Sequence, residues 1–139
     1  MRITARVENR HNHHNVALAT NAQPRTLDIP PKATGYGSSA NGGELLFLAL
    51  ATCYCNDVYR EAAKRGIEVT AVEVVVDGEF GGPGEPARNI TYHAKVTGKA
   101  SAAELEALAR HTDTVAEIQN TLRAGAPVVL SAIEVVAEA

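Results

Sequence analysis

The amino-acid sequence predicts a single α+β domain. Three features carry this prediction: short segments of alternating polar and apolar residues on either side of the middle of the chain, one long Leu- and Ala-rich helical segment between them, and two capping-box signatures further on. The order is three strands, a long helix, two strands, two helices and one strand, without the regular strand–helix alternation of a parallel sheet. A chain of 139 residues has the usual size of one domain and can bury roughly two thirds of the surface it exposes when unfolded. Residues 1–139 are therefore read as one domain around one core.

Residues Arg2 to Val7 alternate polar and apolar, as do Val16 to Thr20, and the polar run Asn9 to Asn15 lies between them, which predicts a β-hairpin. A third short strand, Thr26 to Ile29, stops at Pro30-Pro31, where a missing N–H ends ladder pairing. The small-residue stretch Thr34 to Gly43 reads as a loop. Glu44 to Arg65 is the strongest helical segment, with Glu44 at the positive end of the dipole, Lys64 and Arg65 at the negative end, and Gly66 as a left-handed stop. Its first half, Leu45 to Ala51, is apolar all round, the pattern of a helix enclosed on every side, and in so short a chain this points to a second subunit.

Ile67 to Phe80, rich in valine, and Ile90 to Thr97 form a second hairpin across Gly81-Gly82-Pro83-Gly84-Glu85-Pro86. Ser101-Ala-Ala-Glu104 is a capping box that starts a helix reaching His111. Thr114-Val-Ala-Glu117 caps a short helix ending before Gly125, and Val128 to Val136 supplies a last strand.

Hydrophobic residues make up 45% of the chain and charged residues 21%, an ordinary globular mix that argues against disorder or a fibrous repeat. The formal charge of −3 and the scattered basic residues make nucleic acid a poor partner. The longest apolar run is about half the length of a membrane span, and no apolar signal core follows Arg2, Arg6 and Arg10, so the expectation is a cytoplasmic protein that does not engage a membrane.

The two cysteines, Cys53 and Cys55, stand two positions apart in the long helix. Successive helical residues turn by about 100°, so these side chains point about 200° apart and cannot converge on a disulfide without distortion. Cys55 shares a helical stripe with Leu48, Ala51, Val58 and Tyr59, which reads as core, and a buried cysteine is in general a small hydrophobe. His11, His13 and His14 could ligate zinc with a cysteine, but their spacing fits no standard zinc pattern, and a solvated turn with no metal is the expectation. The glycine-rich stretch Gly35 to Gly43 could cradle an anion; it lacks the lysine of a P-loop and reads rather as a flexible loop with Ser39 or Asn41 as helix cap. His93 and His111 are assigned structural roles.

The stretch Asn41-Gly-Gly-Glu44-Leu-Leu-Phe-Leu-Ala-Leu-Ala-Thr-Cys53, followed by Asp57-Val58, resembles the long central helix of the OsmC/Ohr family, the osmotically induced and organic hydroperoxide resistance proteins. Val96-Thr97-Gly98-Lys99 and Asn120-Thr121-Leu122-Arg123-Ala124-Gly125 resemble a later strand end and the C-terminal helix exit of that family. The resemblance implies an OsmC-like fold, two antiparallel β-sheet segments around a long central helix, in an intertwined homodimer with a pocket at the subunit interface.

It also implies chemistry. Cys53 falls on the position of the cysteine that attacks a hydroperoxide in the peroxidase members, where an arginine from the N-terminal hairpin turn, anchored by a glutamate near the start of the long helix, supports the thiolate. A thiolate is needed because a thiol is a weak nucleophile, and Cys53 lies about ten residues, or ~15 Å, inside the helix, beyond reach of the dipole. The turn offers Arg10, His11, His13 and His14, of which Arg10 and His13 rank equally as the cation. Gly43 occupies the position of the family glutamate and Glu44 follows it, as in a less characterised branch of the family. Ala116 occupies the position of the second, resolving cysteine. A sulfenic acid on Cys53 must then be resolved by an external thiol, a partner-subunit cysteine, or Cys55 after distortion of the helix.

The expected function is thus a thiol-dependent redox protein reducing organic or other hydroperoxides through Cys53, with Cys55, Arg10, His13 and Glu44 as further site candidates, no cofactor and an external thiol as reductant. Two rivals stand beside it: a non-catalytic protein holding an apolar small molecule in the interface pocket, and a metal-binding variant using His11, His13 and His14.

Overall fold

A computed structural model describes residues 1–138. The order is β1 (Ile3–Arg10), β2 (His13–Thr20), β3 (Gln23–Thr26), α1 (Gly42–Lys64), β4 (Glu68–Glu79), β5 (Arg88–Lys99), α2 (Ala102–Val115) and α3 (Glu117–Ala124). Both sheets are antiparallel, with orders β1-β2-β3 and β4-β5, so the α+β class holds. No helix of the described residues is long and apolar enough to cross a membrane. The chain forms two compact units, residues 1–48 with 80–87 and residues 49–79 with 88–138.

In the first unit the hairpin ladder runs from Ile3↔Thr20 to Arg10↔His13, longer than the alternation suggests. Asn12, at φ +56°, lets the chain reverse over His11 and Asn12 alone, so His13 and His14 belong to strand β2 and not to a turn. A second tight reversal at Asn21 and Ala22, both at positive φ, sets Thr20 opposite Gln23. This places β3 three residues earlier than the expected Thr26–Ile29, with Pro24 on an edge strand where its missing N–H can face outward. The loop before α1 is clamped to the hairpin: the N–H of Gly35 donates to Asn12 Oδ1 and that of Gly37 to Asn9 Oδ1, each at 2.9 Å. These donors are therefore engaged and do not form an open anion cradle. Asn41 is the cap of α1, accepting from the Glu44 N–H at 2.8 Å while its own N–H donates to Glu44 Oε1 at 2.9 Å.

The core of the second unit is Tyr54, Val58 and Ala62 of α1 with Leu108 of α2, packed against Val69, Val72 and Val74 of β4 and Tyr92, Ala94 and Val96 of β5. The inward residues alternate on β5 and at Val72 and Val74 of β4, and an irregularity between Val69 and Ala71 shifts the phase so that Val69 also faces the core. α2 starts on the predicted capping box, Ser101 with Glu104. It then runs on to Val115, so Thr114 lies inside the helix, its hydroxyl donating to the His111 carbonyl, and cannot cap α3 as its motif suggests. The N-cap of α3 is Ala116, without a side-chain cap bond, and Glu117 opens the helix.

The expected last strand, Val128 to Val136, does not form. The segment has no regular structure, and its apolar side chains are exposed, Val128 at 98%. It has strand composition, but no strand of the described residues pairs with it, and an unpaired strand leaves its backbone groups to water.

Candidate functional site

Cys53 lies near the middle of α1 on the face that also carries Asp57 and Arg60, one and two turns further along. Glu117, the first residue of α3, comes to the same place. The Cys53 sulfur lies 3.5 Å from Asp57 Oδ2 and 3.6 Å from Glu117 Oε2, so the thiol donates to one carboxylate or the other. Arg60 grips the same two carboxylates by their other oxygens, at 3.0 Å from Asp57 Oδ1 and 2.8 Å from Glu117 Oε1. Arg60 also meets Glu61, whose carboxylate receives Lys64 at 2.9 Å and His111 Nε2 at 2.9 Å. Cys53 is half-buried, Asp57 is 6% exposed, and Glu117 is open to solvent.

The electrostatics follow from this arrangement. Burial pushes the Cys53 thiol up, and the charge and hydrogen bonds of Asp57 and Glu117 add to that, while the Ile118 backbone N–H, in the first turn of α3, favours the thiolate. Asp57 rises to about 6, chiefly because it is buried and secondly because its protonated carboxyl donates to Glu117, with Arg60 opposing. Glu117 is held down to about 2, first by that hydrogen bond from Asp57 and also by Arg60. Glu61 is likewise lowered to about 2 by Lys64, Arg60 and His111.

Among the described residues, Cys53, Asp57 and Glu117 are the one group of His, Cys, Asp or Glu with donor atoms mutually within metal-binding reach, 4.8 Å. Arg60 already supplies the positive charge against both carboxylates, so we do not assign them as metal ligands. The His11, His13, His14 set is not such a group. His11 packs edge-on against Tyr36, and His14 Nδ1 shares a hydrogen bond with Asn9 at 3.0 Å.

The other sequence candidates are placed as follows. Arg10 ends β1 with its guanidinium 3.8 Å from Glu8, and His13 starts β2 opposite it. Glu44 caps α1 through Asn41. All three belong to the first unit, whereas the groups around Cys53 belong to the second. At Gly43, a β-carbon would stand 2.8 Å from Phe80 Cε2, so the aromatic ring fills the space a side chain would need there. Cys55 is a free, half-buried thiol lining a shallow recess with Ala51, Thr52, Asn56 and Val74. Ala116 is fully buried at the α2–α3 junction.

Sequence reasoning missed Asp57, Arg60 and Glu117 as site residues. The first two were open to it, because positions 53, 57 and 60 follow the helical repeat of one face. Glu117 was hidden by its place in a capping-box motif that the fold does not use.

A second feature of this unit is a cavity of about 240 Å³ lined by Leu50, Ile90, Tyr92, Gln119, Leu122 and Arg123. The Gln119 amide donates to the Leu50 carbonyl at 3.0 Å.

An antiparallel α+β chain with a cysteine in the middle of its long helix is the class of protein defined so far. The family described as OsmC-like protein matches residues 35–131, more than half of the chain, and the chain belongs to that family. No curated protein matches it. Among solved structures, it is similar to an OsmC-like protein from Mycoplasma pneumoniae, with 20% identity, 88% of this chain and 89% of that one covered, and a TM-score of 0.60. It is also similar to an organic hydroperoxide resistance protein OsmC from Legionella pneumophila, at 19% identity, 85% and 89% coverage and a TM-score of 0.54. A third is an organic hydroperoxide resistance protein from Elizabethkingia anophelis, at 13% identity, 86% and 89% coverage and a TM-score of 0.54. At these identities the likeness is one of fold.

Proposed function

We propose that this protein reduces organic hydroperoxides through the Cys53 thiol, as a homodimer, with an external thiol as reductant. The observation that carries this reading is the placement of Cys53: a free, half-buried thiol in the long helix of an OsmC-like chain, in hydrogen-bond reach of two fixed carboxylates. Two structural neighbours bear the name organic hydroperoxide resistance protein, which supports the substrate class. Attack by sulfur breaks the O–O bond, leaving a sulfenic acid on Cys53 and an alcohol. With alanine at 116, one external thiol converts the sulfenic acid to a mixed disulfide and water, and a second releases the Cys53 thiol. Arg10 and His13 remain candidates for the cation that favours the thiolate, and Glu44 for anchoring it.

The test is hydroperoxide consumption with a dithiol as reductant. Cys53→Ser is expected to abolish it and Cys55→Ser to leave it nearly intact. Equal consumption by wild type and Cys53→Ser would remove the reading.

A second reading draws on the cavity beside Leu50. Its apolar wall of Leu50, Ile90 and Leu122, with Arg123 and the Tyr92 ring, suits an apolar small molecule held without turnover. The raised thiol favours this reading, because a protonated sulfur is a poor nucleophile. Ligand binding that is unchanged in Cys53→Ser, in a protein inert to hydroperoxide, would select it.

A further inference from the structure

Resting on the hydroperoxide reading, we propose that Asp57 is a catalytic residue that accepts the Cys53 proton as the sulfur attacks and returns it to the departing alkoxide. The geometry separates the two oxygens of each carboxylate. Arg60 binds Asp57 Oδ1 and Glu117 Oε1, leaving Asp57 Oδ2 and Glu117 Oε2 turned toward the sulfur at 3.5 and 3.6 Å. Arg60 Nη1 thus engages one oxygen of each group and leaves the other oxygen of each beside the thiol.

Of the two carboxylates, Asp57 is the better proton carrier. It sits one helical turn from Cys53, so the backbone sets the spacing, and it is buried, whereas Glu117 is exposed. A proton acceptor works best when it titrates near the working pH, and burial moves Asp57 up toward that range while the hydrogen bond from Asp57, with Arg60, holds Glu117 down. Glu117 is the positioning residue: it receives a hydrogen bond from Asp57 once Asp57 carries the proton. The groups facing Asp57 are Cys53 and Arg60 on α1 and Glu117 on α3, with Glu61 beyond Arg60.

The step balances as follows. The thiol proton passes to Asp57, and a sulfur electron pair forms a bond to the terminal oxygen of the hydroperoxide. The O–O bond breaks with its electron pair going to the alkoxide, which takes the proton from Asp57 and leaves as the alcohol. Sulfur is oxidised by two electrons and the peroxide is reduced by two, and the sulfenic hydroxyl keeps the original peroxide hydrogen. An external thiol then reduces the sulfenic acid.

The experiment measures the second-order rate constant of wild type, Asp57→Asn and Glu117→Gln with tert-butyl hydroperoxide from pH 5 to 9, and in parallel the rate of Cys53 alkylation by iodoacetamide in a Cys55→Ser background. Alkylation needs the thiolate but no proton for the leaving group. Asp57→Asn is expected to react with peroxide about tenfold or more slowly at pH 7.5. It is also expected to lose the fall in rate near pH 6, and to lose less in alkylation than in peroxide reduction, because alkylation forgoes only the accepted proton and not the returned one. Glu117→Gln, a change at an exposed site, is expected to move that fall to lower pH. The proposal is overturned if Asp57→Asn reduces peroxide as fast as wild type, if it slows peroxide and alkylation equally, or if Glu117→Gln leaves the pH profile in place. Wild type that consumes no peroxide overturns the hydroperoxide reading as well, which the first three outcomes leave standing.

Discussion

Asp57 carries opposed demands on stability and chemistry. Its folded-state value near 6 lies above the ordinary 3.8 of an unfolded aspartate. Between these values the folded chain binds more protons than the unfolded one, so the contribution of Asp57 to stability is greatest at acid pH and is lost as pH rises through about 6. Asp57→Asn should therefore gain stability relative to wild type as pH goes from 5 to 7.5. Urea denaturation of both proteins at the two pH values measures the difference. A gap that is constant with pH would mean that Asp57 titrates normally. Glu117 and Glu61 act in the opposite sense, stabilising above their ordinary range near 4.5 and losing that contribution only as pH falls toward about 2. At this scale Cys53 was legible, because the helix around it has a family pattern. Its carboxylate surroundings were only half legible: Asp57 shares its helical face, but Glu117 arrives from 64 residues away by tertiary packing.

At the scale of elements, legibility tracked local chemistry. The Ser101–Glu104 box and the Gly66 stop lie where the sequence puts them, since both depend on neighbours within a few residues. β3 was displaced because the reversal at Asn21-Ala22 needs positive φ at both residues and alanine gives no sign of it. The histidine turn shrank to two residues for a related reason, since Asn12 adopts the left-handed conformation and the ladder continues to Arg10↔His13. The motif at Thr114 failed because α2 runs past it, and a cap signature has no force inside a continuing helix. The strand at Val128 to Val136 failed for want of a partner, which is a non-local requirement that alternation cannot report.

At the scale of the whole molecule, the exposed apolar residues are the ground for the proposed homodimer. Leu48 in the apolar half of α1 is 54% exposed, and Val128, Val129, Leu130, Ile133, Val135 and Val136 of the C-terminal segment are exposed between 72% and 98%. A two-stranded sheet such as β4-β5 also leaves edges open to a further strand. A homodimer, as proposed, would offer a surface to cover these side chains and a strand edge to the last segment. Sedimentation equilibrium at micromolar concentration should return twice the 14.7 kDa chain mass. A folded species at the single-chain mass would contradict it, and would leave the C-terminal segment without a use.

The central claim is that Cys53 is a peroxide-reactive thiol resolved from outside the chain, and mass spectrometry after one equivalent of organic hydroperoxide tests it most directly. With a dimedone-type trap present, the account predicts one adduct on Cys53 in wild type and in Cys55→Ser, and none in Cys53→Ser. Opposed orientation on one helix keeps the two sulfurs apart, since opening the turn would strand backbone groups at roughly 1 to 3 kcal/mol each. A Cys53–Cys55 disulfide forming as fast as peroxide is consumed would contradict external resolution, and two unmodified cysteines would contradict the claim itself.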